Sequence, residues 1–248
     1  MRYEGRQYKN YIFDLYGTLI DIHTEEDKIE VWKELALFYE KQGAIYTPRE
    51  LKENFLSLIA EEEAACPYEQ YPEIKIEYVF QRLFGRKGIQ ADLLLSIKAG
   101  QLFRKLSTEY IRLYDGAKEL LLSLKQHGKR IYLLSNAQEI FALPELKKLG
   151  IYTCFDEIFL SSHYGCRKPS SQFFEMLVGS CNLDVEQCLM IGNDSQTDIK
   201  GAQSIGMDSF YIHSNLSPEI QLDDPESTYV LKTMDLQTLK KMLLNESY

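Results

Sequence analysis

The sequence predicts an α/β fold: a doubly wound parallel sheet, interrupted after its first strand by a block of helices. Three observations carry this. A short apolar run at 11–15 stands alone near the start, long enough for a buried strand. From Thr24 to about Tyr110 apolar residues recur at spacings of three and four, with no convincing strand among them. After Gly116 strand and helix patterns alternate, which implies parallel strands joined by right-handed crossovers.

The helical block resolves into four amphipathic segments. The first carries Ile29, Trp32, Leu35, Ala36 and Tyr39. Thr47 and Pro48 suit the N-cap and first position of the second, which continues through Leu51, Phe55, Leu58 and Ile59. Ile76, Val79, Phe80 and Leu83 mark the third, closed by Gly85 and Gly88. The fourth runs from about Ala91, with Leu94 and Ile97 on one side. Beyond Gly116 come the helix AKELLLSLKQHG and strand RIYLLSN, then EIFALPELKKLG and FDEIFLSS. SQFFEMLVGSC precedes CLMIGN, DIKGAQSIG precedes DSFYIH, and a strand near Tyr229 and a helix from Leu236 end the chain. The expected architecture is a Rossmann-like core at 1–21 and 111–248 carrying an all-α helical-bundle insertion at 22–110. The stretch 214–228 reads as a surface loop.

Composition narrows the function classes. A net charge of −9 over 248 residues argues against a nucleic-acid surface, which needs clustered Lys and Arg. No apolar run approaches a membrane span, and MRYEGRQYKN has no signal-peptide core. Cys66, Cys154, Cys166, Cys181 and Cys188 are scattered, without a C-x-x-C pair, and suggest reduced packing thiols of a cytoplasmic protein. A reactive Cys166, beside Arg167 and Lys168, is the lesser alternative.

In an open parallel sheet, ligands gather at the carboxyl ends of the strands. Four such ends here carry reactive residue types: Asp14; Ser135 with Asn136; Lys168; and Asp194 with Asp198. Each has an ordinary alternative. Asp14 and Ser135 suit turns or caps, Lys168 a solvated loop, and the aspartates of NDSQTD the start of a helix. What sets them apart is that all four fall on one edge of one sheet. Together they form a chemical set. A carboxylate at Asp14 attacks a phosphoryl or tetrahedral centre, and a cation must offset its repulsion from a phosphate dianion. Asp14 and Asp194 are hard oxygen ligands suited to Mg²⁺, with a backbone carbonyl and waters completing the shell. Lys168 adds positive charge. Ser135, with Asn136 and nearby backbone N–H groups, would bind phosphate oxygens. Asp198, a turn beyond Asp194, would orient Lys168 or a metal-bound water.

The segments FDLYGTL (13–19), LLSNA (133–137), RKPSSQFF (167–174) and IGNDSQTDIKGA (191–202) occur in the order of the haloacid dehalogenase superfamily, which the chain resembles over nearly its whole length. The helical insertion is similar to the α-helical cap of one subfamily. The resemblance implies that Asp14 is the nucleophile, Ser135 the phosphate binder and Lys168 the charge stabiliser. It makes Asp194 and the main-chain carbonyl of Tyr16 metal ligands beside Asp14, with Asp198 supporting them, and gives Thr18 a part in positioning the reacting group.

Position 16 departs from the pattern. Phosphatases of the superfamily carry a second Asp there as general acid and base; its 2-haloacid dehalogenases carry Tyr, need no metal, and have small neutral residues where Asp194 stands. They also use a cap arginine, for which the VWK segment offers Lys33. A phenol near its usual pKa of about 10 is a poor base at neutrality. Two buried carboxylates beside Asp14 make electrostatic sense mainly with a cation. The expectation is therefore a Mg²⁺-dependent phosphatase of a small phosphorylated metabolite, monomeric or homodimeric, acting through an aspartyl-phosphate. The alternatives are a metal-independent dehalogenase and a phosphate-binding regulatory protein of weakened turnover. His23, Glu25 and Glu26 are candidates to replace the missing acid, although the two glutamates equally suit a helix start. Trp32 is expected in the core, EEEAAC (61–66) on a solvated face, the tyrosine-rich 66–78 in a turn or substrate-reading loop, and His163 at the surface near Lys168.

Overall fold

The computed structural model describes residues 8–66, 70–218 and 226–245. Parts of two expected loops, at 67–69 and 219–225, lie outside the described residues.

The first strand, β1 (Asn10–Phe13), is wholly buried. It runs parallel to β4 (Arg130–Ser135) on one side and β6 (Cys188–Gly192) on the other. Both faces of such a central strand are covered, which explains a continuous apolar run rather than an alternating one. With β5 (Glu157–Leu160), β7 (Asp208–Ile212) and β8 (Tyr229–Leu231) the sheet has the order β5-β4-β1-β6-β7-β8, every pair parallel. The chain winds outward from β1 in both directions, so the strand order reverses there and opens a crevice at the carboxyl ends of β1, β4 and β6. Helices α5 (Ala117–Gln126), α6 (Glu139–Lys148), α8 (Ser171–Ser180), α9 (Lys200–Ser204) and α10 (Leu236–Leu244) alternate with these strands; α7 (Ser161–Tyr164) is a single turn.

The insertion forms α1 (Ile29–Lys41), α2 (Pro48–Ala65), α3 (Ile76–Gly85) and α4 (Leu93–Ser107). Thr47 caps α2 as expected, its hydroxyl accepting the Glu50 N–H at 3.2 Å. Trp32 packs between Phe55 and Phe103 in a core separate from those of the sheet. The face of α4 differs from the expectation. Leu94 is 61% exposed, and the buried positions are the small Ser96, Ala99, Gly100 and Ser107 with Phe103. Close approach explains this choice: a Cβ at Gly100 would stand 2.6 Å from Ile140 and 2.9 Å from Phe80.

Two further strands lie where the insertion joins the sheet. β2 (Ile20–Thr24) and β3 (Thr108–Leu113) form an antiparallel ribbon across both expected junctions, 21/22 and 110/111. Buried Asp21 pins it, accepting hydrogen bonds from Arg112 (2.7 and 2.9 Å), Asn215 (3.0 Å) and Tyr110 (3.2 Å).

The acidic 61–66 stretch lies on a solvated face, where Glu61 and Glu62 pair with Arg82 and Arg86. All five cysteines are free. Cys166 is fully buried, and burial pushes its thiol up to about 11, the opposite of a reactive thiolate. Among the described residues no helix is long and apolar enough to cross a membrane.

Candidate active site

The register that aligns Phe13 with Leu133 and Ile191 brings the next residue, Asp14, into the crevice, where its N–H donates to the Ile191 carbonyl at 2.9 Å. The chain must turn at once, and Gly17 supplies a φ of +87° that other residues avoid. A side chain at position 17 would also collide with Asn193, so glycine is required twice over. Thr18 then folds back, its hydroxyl 3.4 Å from Asp14 Oδ2 and 3.3 Å from Asn193 Oδ1.

Lys168 is buried at the centre of the site. Its Nζ donates to Asp14 Oδ1 (2.6 Å), Asp198 Oδ1 (2.6 Å) and the Leu134 carbonyl (2.8 Å), satisfying all three protons. Burial by itself would lower the Lys168 ammonium; Asp14 and Asp198 outweigh it and hold the group charged. Burial likewise raises the Asp198 carboxyl, against the pull of Lys168. Ser135, at the end of β4, donates to Asp14 Oδ1 at 3.3 Å. Asn136 lines the same cavity. Its amide clamps the Lys168 backbone, accepting from the N–H (2.8 Å) and donating to the carbonyl (3.0 Å).

Asp194 begins a turn of π-helix over Ser195–Ile199, with Oδ1 accepting the Gln196 N–H at 2.8 Å. Its second oxygen has no donor among the described residues. Asp198 returns beneath it, Oδ2 accepting the Asp194 N–H at 3.0 Å. Gly192 leaves room for this, since a Cβ there would lie 2.2 Å from Asp198 Oδ2. Asp14, Tyr16, Ser135, Lys168, Asp194 and Asp198 all line one cavity of about 180 Å³. Asp14 and Asp198 flank the one ammonium while Asp194 adds a third carboxylate to the cavity lining, and the excess negative charge with hard oxygen donors suits a divalent cation.

Two residues of the site were not singled out in the sequence, although Asn193 lies within the 191–202 motif. Asn193, 4% exposed, bridges the Thr18 turn to Ser214 (3.3 Å) and Ser217 (3.5 Å). Glu145 of α6 accepts a hydrogen bond from the Tyr16 phenol, tying off the side chain that replaces the expected acid. Several candidates lie away from the chemistry. Lys33 is exposed and pairs with Glu30, so it brings no cap cation to the site. His23 and Glu25 pair with each other at the surface, and His163 sits beside Glu139, also exposed. Glu26 is exposed as well. Its carboxyl is raised by partial desolvation, and Arg104 pulls it the other way.

Residues 8–206 match the family model described as haloacid dehalogenase-like hydrolase. YfnB of Bacillus subtilis (strain 168), named as a HAD-hydrolase, is 24% identical over 96% of this chain and 94% of its own length. Its crystal structure superposes with a TM-score of 0.57. A glyceraldehyde 3-phosphate phosphatase from Methanothermobacter thermautotrophicus (strain ATCC 29096 / DSM 1053 / JCM 10044 / NBRC 100330 / Delta H) is 31% identical over 54% of this chain and 59% of its own. The 2-haloacid dehalogenase of Pseudomonas syringae pv. Tomato DC3000 shares the fold, with a TM-score of 0.65 at 18% identity, covering 97% of this chain and 100% of that one. Sheet order, motif order and the matched span agree: the chain belongs to the haloacid dehalogenase-like hydrolase family.

Proposed function

We propose that this hydrolase cleaves phosphate monoesters of small metabolites through an aspartyl-phosphate at Asp14, with residues 22–110 serving as a cap over the site. The observation that carries this reading is the pairing of a buried Lys168 with Asp14 and Asp198, while Asp194 offers a further carboxylate in the same cavity. The identity to a glyceraldehyde 3-phosphate phosphatase supports the substrate class.

Asp14 Oδ2 is the nucleophile, since Oδ1 is held by Lys168 and Ser135. Lys168 offsets charge as the carboxylate meets the phosphoryl group, and the Ser135 hydroxyl turns to donate to a phosphate oxygen. Thr18 holds the attacking oxygen's orientation, and Asp198 keeps Lys168 in place. Asp14, Asp194 and the Tyr16 carbonyl would hold Mg²⁺, an ion that the YfnB crystal structure has bound. When bound, the ion supplies neutralisation of the carboxylate–phosphate repulsion. With its hydroxyl committed to a hydrogen bond to Glu145, Tyr16 does not protonate a leaving group. Good leaving groups such as acyl phosphates should therefore react faster than alkyl phosphates, by up to the roughly 10²–10⁴-fold that general acid catalysis contributes.

Phosphate release from a panel of phosphorylated metabolites tests the reading. Release should require Mg²⁺, stop with EDTA and disappear in Asp14→Asn. The Tyr16 side chain leaves one competing reading, a dehalogenase. Chloride release from 2-chloropropionate that persists in EDTA would establish that reading instead, and the exposed Lys33 and the Asp194–Asp198 pair argue against it.

A further inference from the structure

Tyr16 links the Asp14 cavity to the helical insertion. From the cavity wall its phenol donates to Glu145 Oε2 on α6 at 2.5 Å. Arg104 reaches the same carboxylate from α4, with Nε at 2.7 Å from Oε1 and a second guanidinium nitrogen at 3.4 Å from Oε2. The guanidinium also lies 5.5 Å from the centre of the Tyr16 ring. Glu145 is 9% exposed, and a carboxylate so placed depends on its charged partner. Burial opposes the Arg104 charge, but Glu145, Tyr16 and Glu26 outweigh it.

The phenol stays protonated, because burial and the neighbouring Glu145 charge both oppose its ionisation. A committed proton makes Tyr16 neither acid nor base. Its main chain, in contrast, is part of the turn that presents Asp14 and Thr18. That turn closes on itself through Gly17 N–H to Ile20 O (2.8 Å) and Leu19 N–H to Leu15 O (2.9 Å). The phenol is a tether reaching from this turn to α6, and through Arg104 to α4.

We propose that Arg104 and Glu145 are positioning residues that act through Tyr16. They hold the 14–18 turn in its working geometry only while α4 sits against α6, so the competence of Asp14 depends on the insertion being closed over the sheet. The kinetic part of the test rests on the phosphatase reading; the structural part does not.

Tyr16→Phe, Arg104→Lys, Glu145→Gln and the Tyr16→Phe/Arg104→Lys pair are compared in the full chain by hydrogen exchange and steady-state kinetics. Exchange across residues 14–20 should rise in every variant, while the α2 amides remain as in the unmodified chain. The kcat should fall roughly ten- to a hundredfold with little change in KM, as expected for misplacement of a reacting group. The double variant should be no slower than its worse single parent, because the residues act as one unit. Glu145→Gln leaves Arg104 buried without its partner and is the variant most prone to unfold; Tyr16→Phe removes only the hydroxyl and keeps the test decisive. Unchanged exchange at 14–20 in Tyr16→Phe and Arg104→Lys, or additive kinetic losses, would overturn the proposal. Raised exchange without any phosphate release from the unmodified chain would uphold the tether and discard the phosphatase reading.

Discussion

At the scale of single residues, the site is a problem of charge placed out of water. Lys168 is 2% exposed and Asp198 1%, so each depends on the other and on Asp14. Removing one member of such a set leaves buried charge without compensation, at a cost of about 3–5 kcal/mol. Lys168→Met should therefore lower stability by about that amount at pH 7, read by urea unfolding, and abolish turnover. A loss of turnover with unchanged stability would mean that Lys168 is solvated, contrary to its three buried hydrogen bonds. The position-16 tyrosine follows the same logic. It stands where the sequence pattern expects an acid–base Asp, and its hydroxyl is spent on Glu145 while its contribution lies in the turn it anchors.

At the scale of elements, α3 contains a buried acid that serves none of this chemistry. Glu77 is 9% exposed, and its Oε2 has no hydrogen-bond partner among the described residues. Burial raises its carboxyl above the usual range. A raised folded-state value means that its share of stability is complete below the ordinary carboxylate range and is lost as pH rises through the raised value. Glu77→Met should remove that loss. The variant should exceed the parent by about 1 kcal/mol at pH 7, with the gap closing toward pH 4. A gap that widens on acidification would contradict this assignment. Much of the element pattern was legible beforehand, because β1, β4 and β6 are apolar runs ending in polar residues and α2 begins with Thr47-Pro48. Other features were not. The buried face of α4 is made of small residues chosen for close approach, which hydrophobic spacing does not register. The β2–β3 ribbon depends on pairing across more than eighty residues of insertion, and Glu145 and Asn193 matter through contacts formed only after folding.

Across the whole molecule, two seams among the described residues tie the insertion to the sheet in addition to the β2–β3 ribbon. One is the Arg104–Glu145–Tyr16 tether. The other is the insertion segment 71–74. There the Arg167 N–H donates to the Tyr71 carbonyl (3.2 Å), the Glu73 N–H to the Gly165 carbonyl (3.0 Å), and Ser161 and Gln138 bind the Glu73 carboxylate. This second seam ends one residue before Lys168, so both charged centres of the cavity are supported by the insertion. Magnesium binding should stabilise the folded chain as a whole, by about 2.7 kcal/mol at a hundred times its dissociation constant. In Asp194→Asn the shift in thermal midpoint should shrink strongly; a full shift there would place the ion elsewhere.

The chemistry at Asp14 is separable from the family's alternative by where a water oxygen goes. Water attacks the phosphorus of an aspartyl-phosphate, whereas it attacks the carboxyl carbon of an aspartyl ester formed on a halogen-bearing carbon. The most direct test is one turnover in ¹⁸O-labelled water, followed by mass spectrometry of the released product and of the peptide carrying Asp14. Label in the inorganic phosphate and none in Asp14 is the predicted result; label in the Asp14 carboxylate would contradict the account.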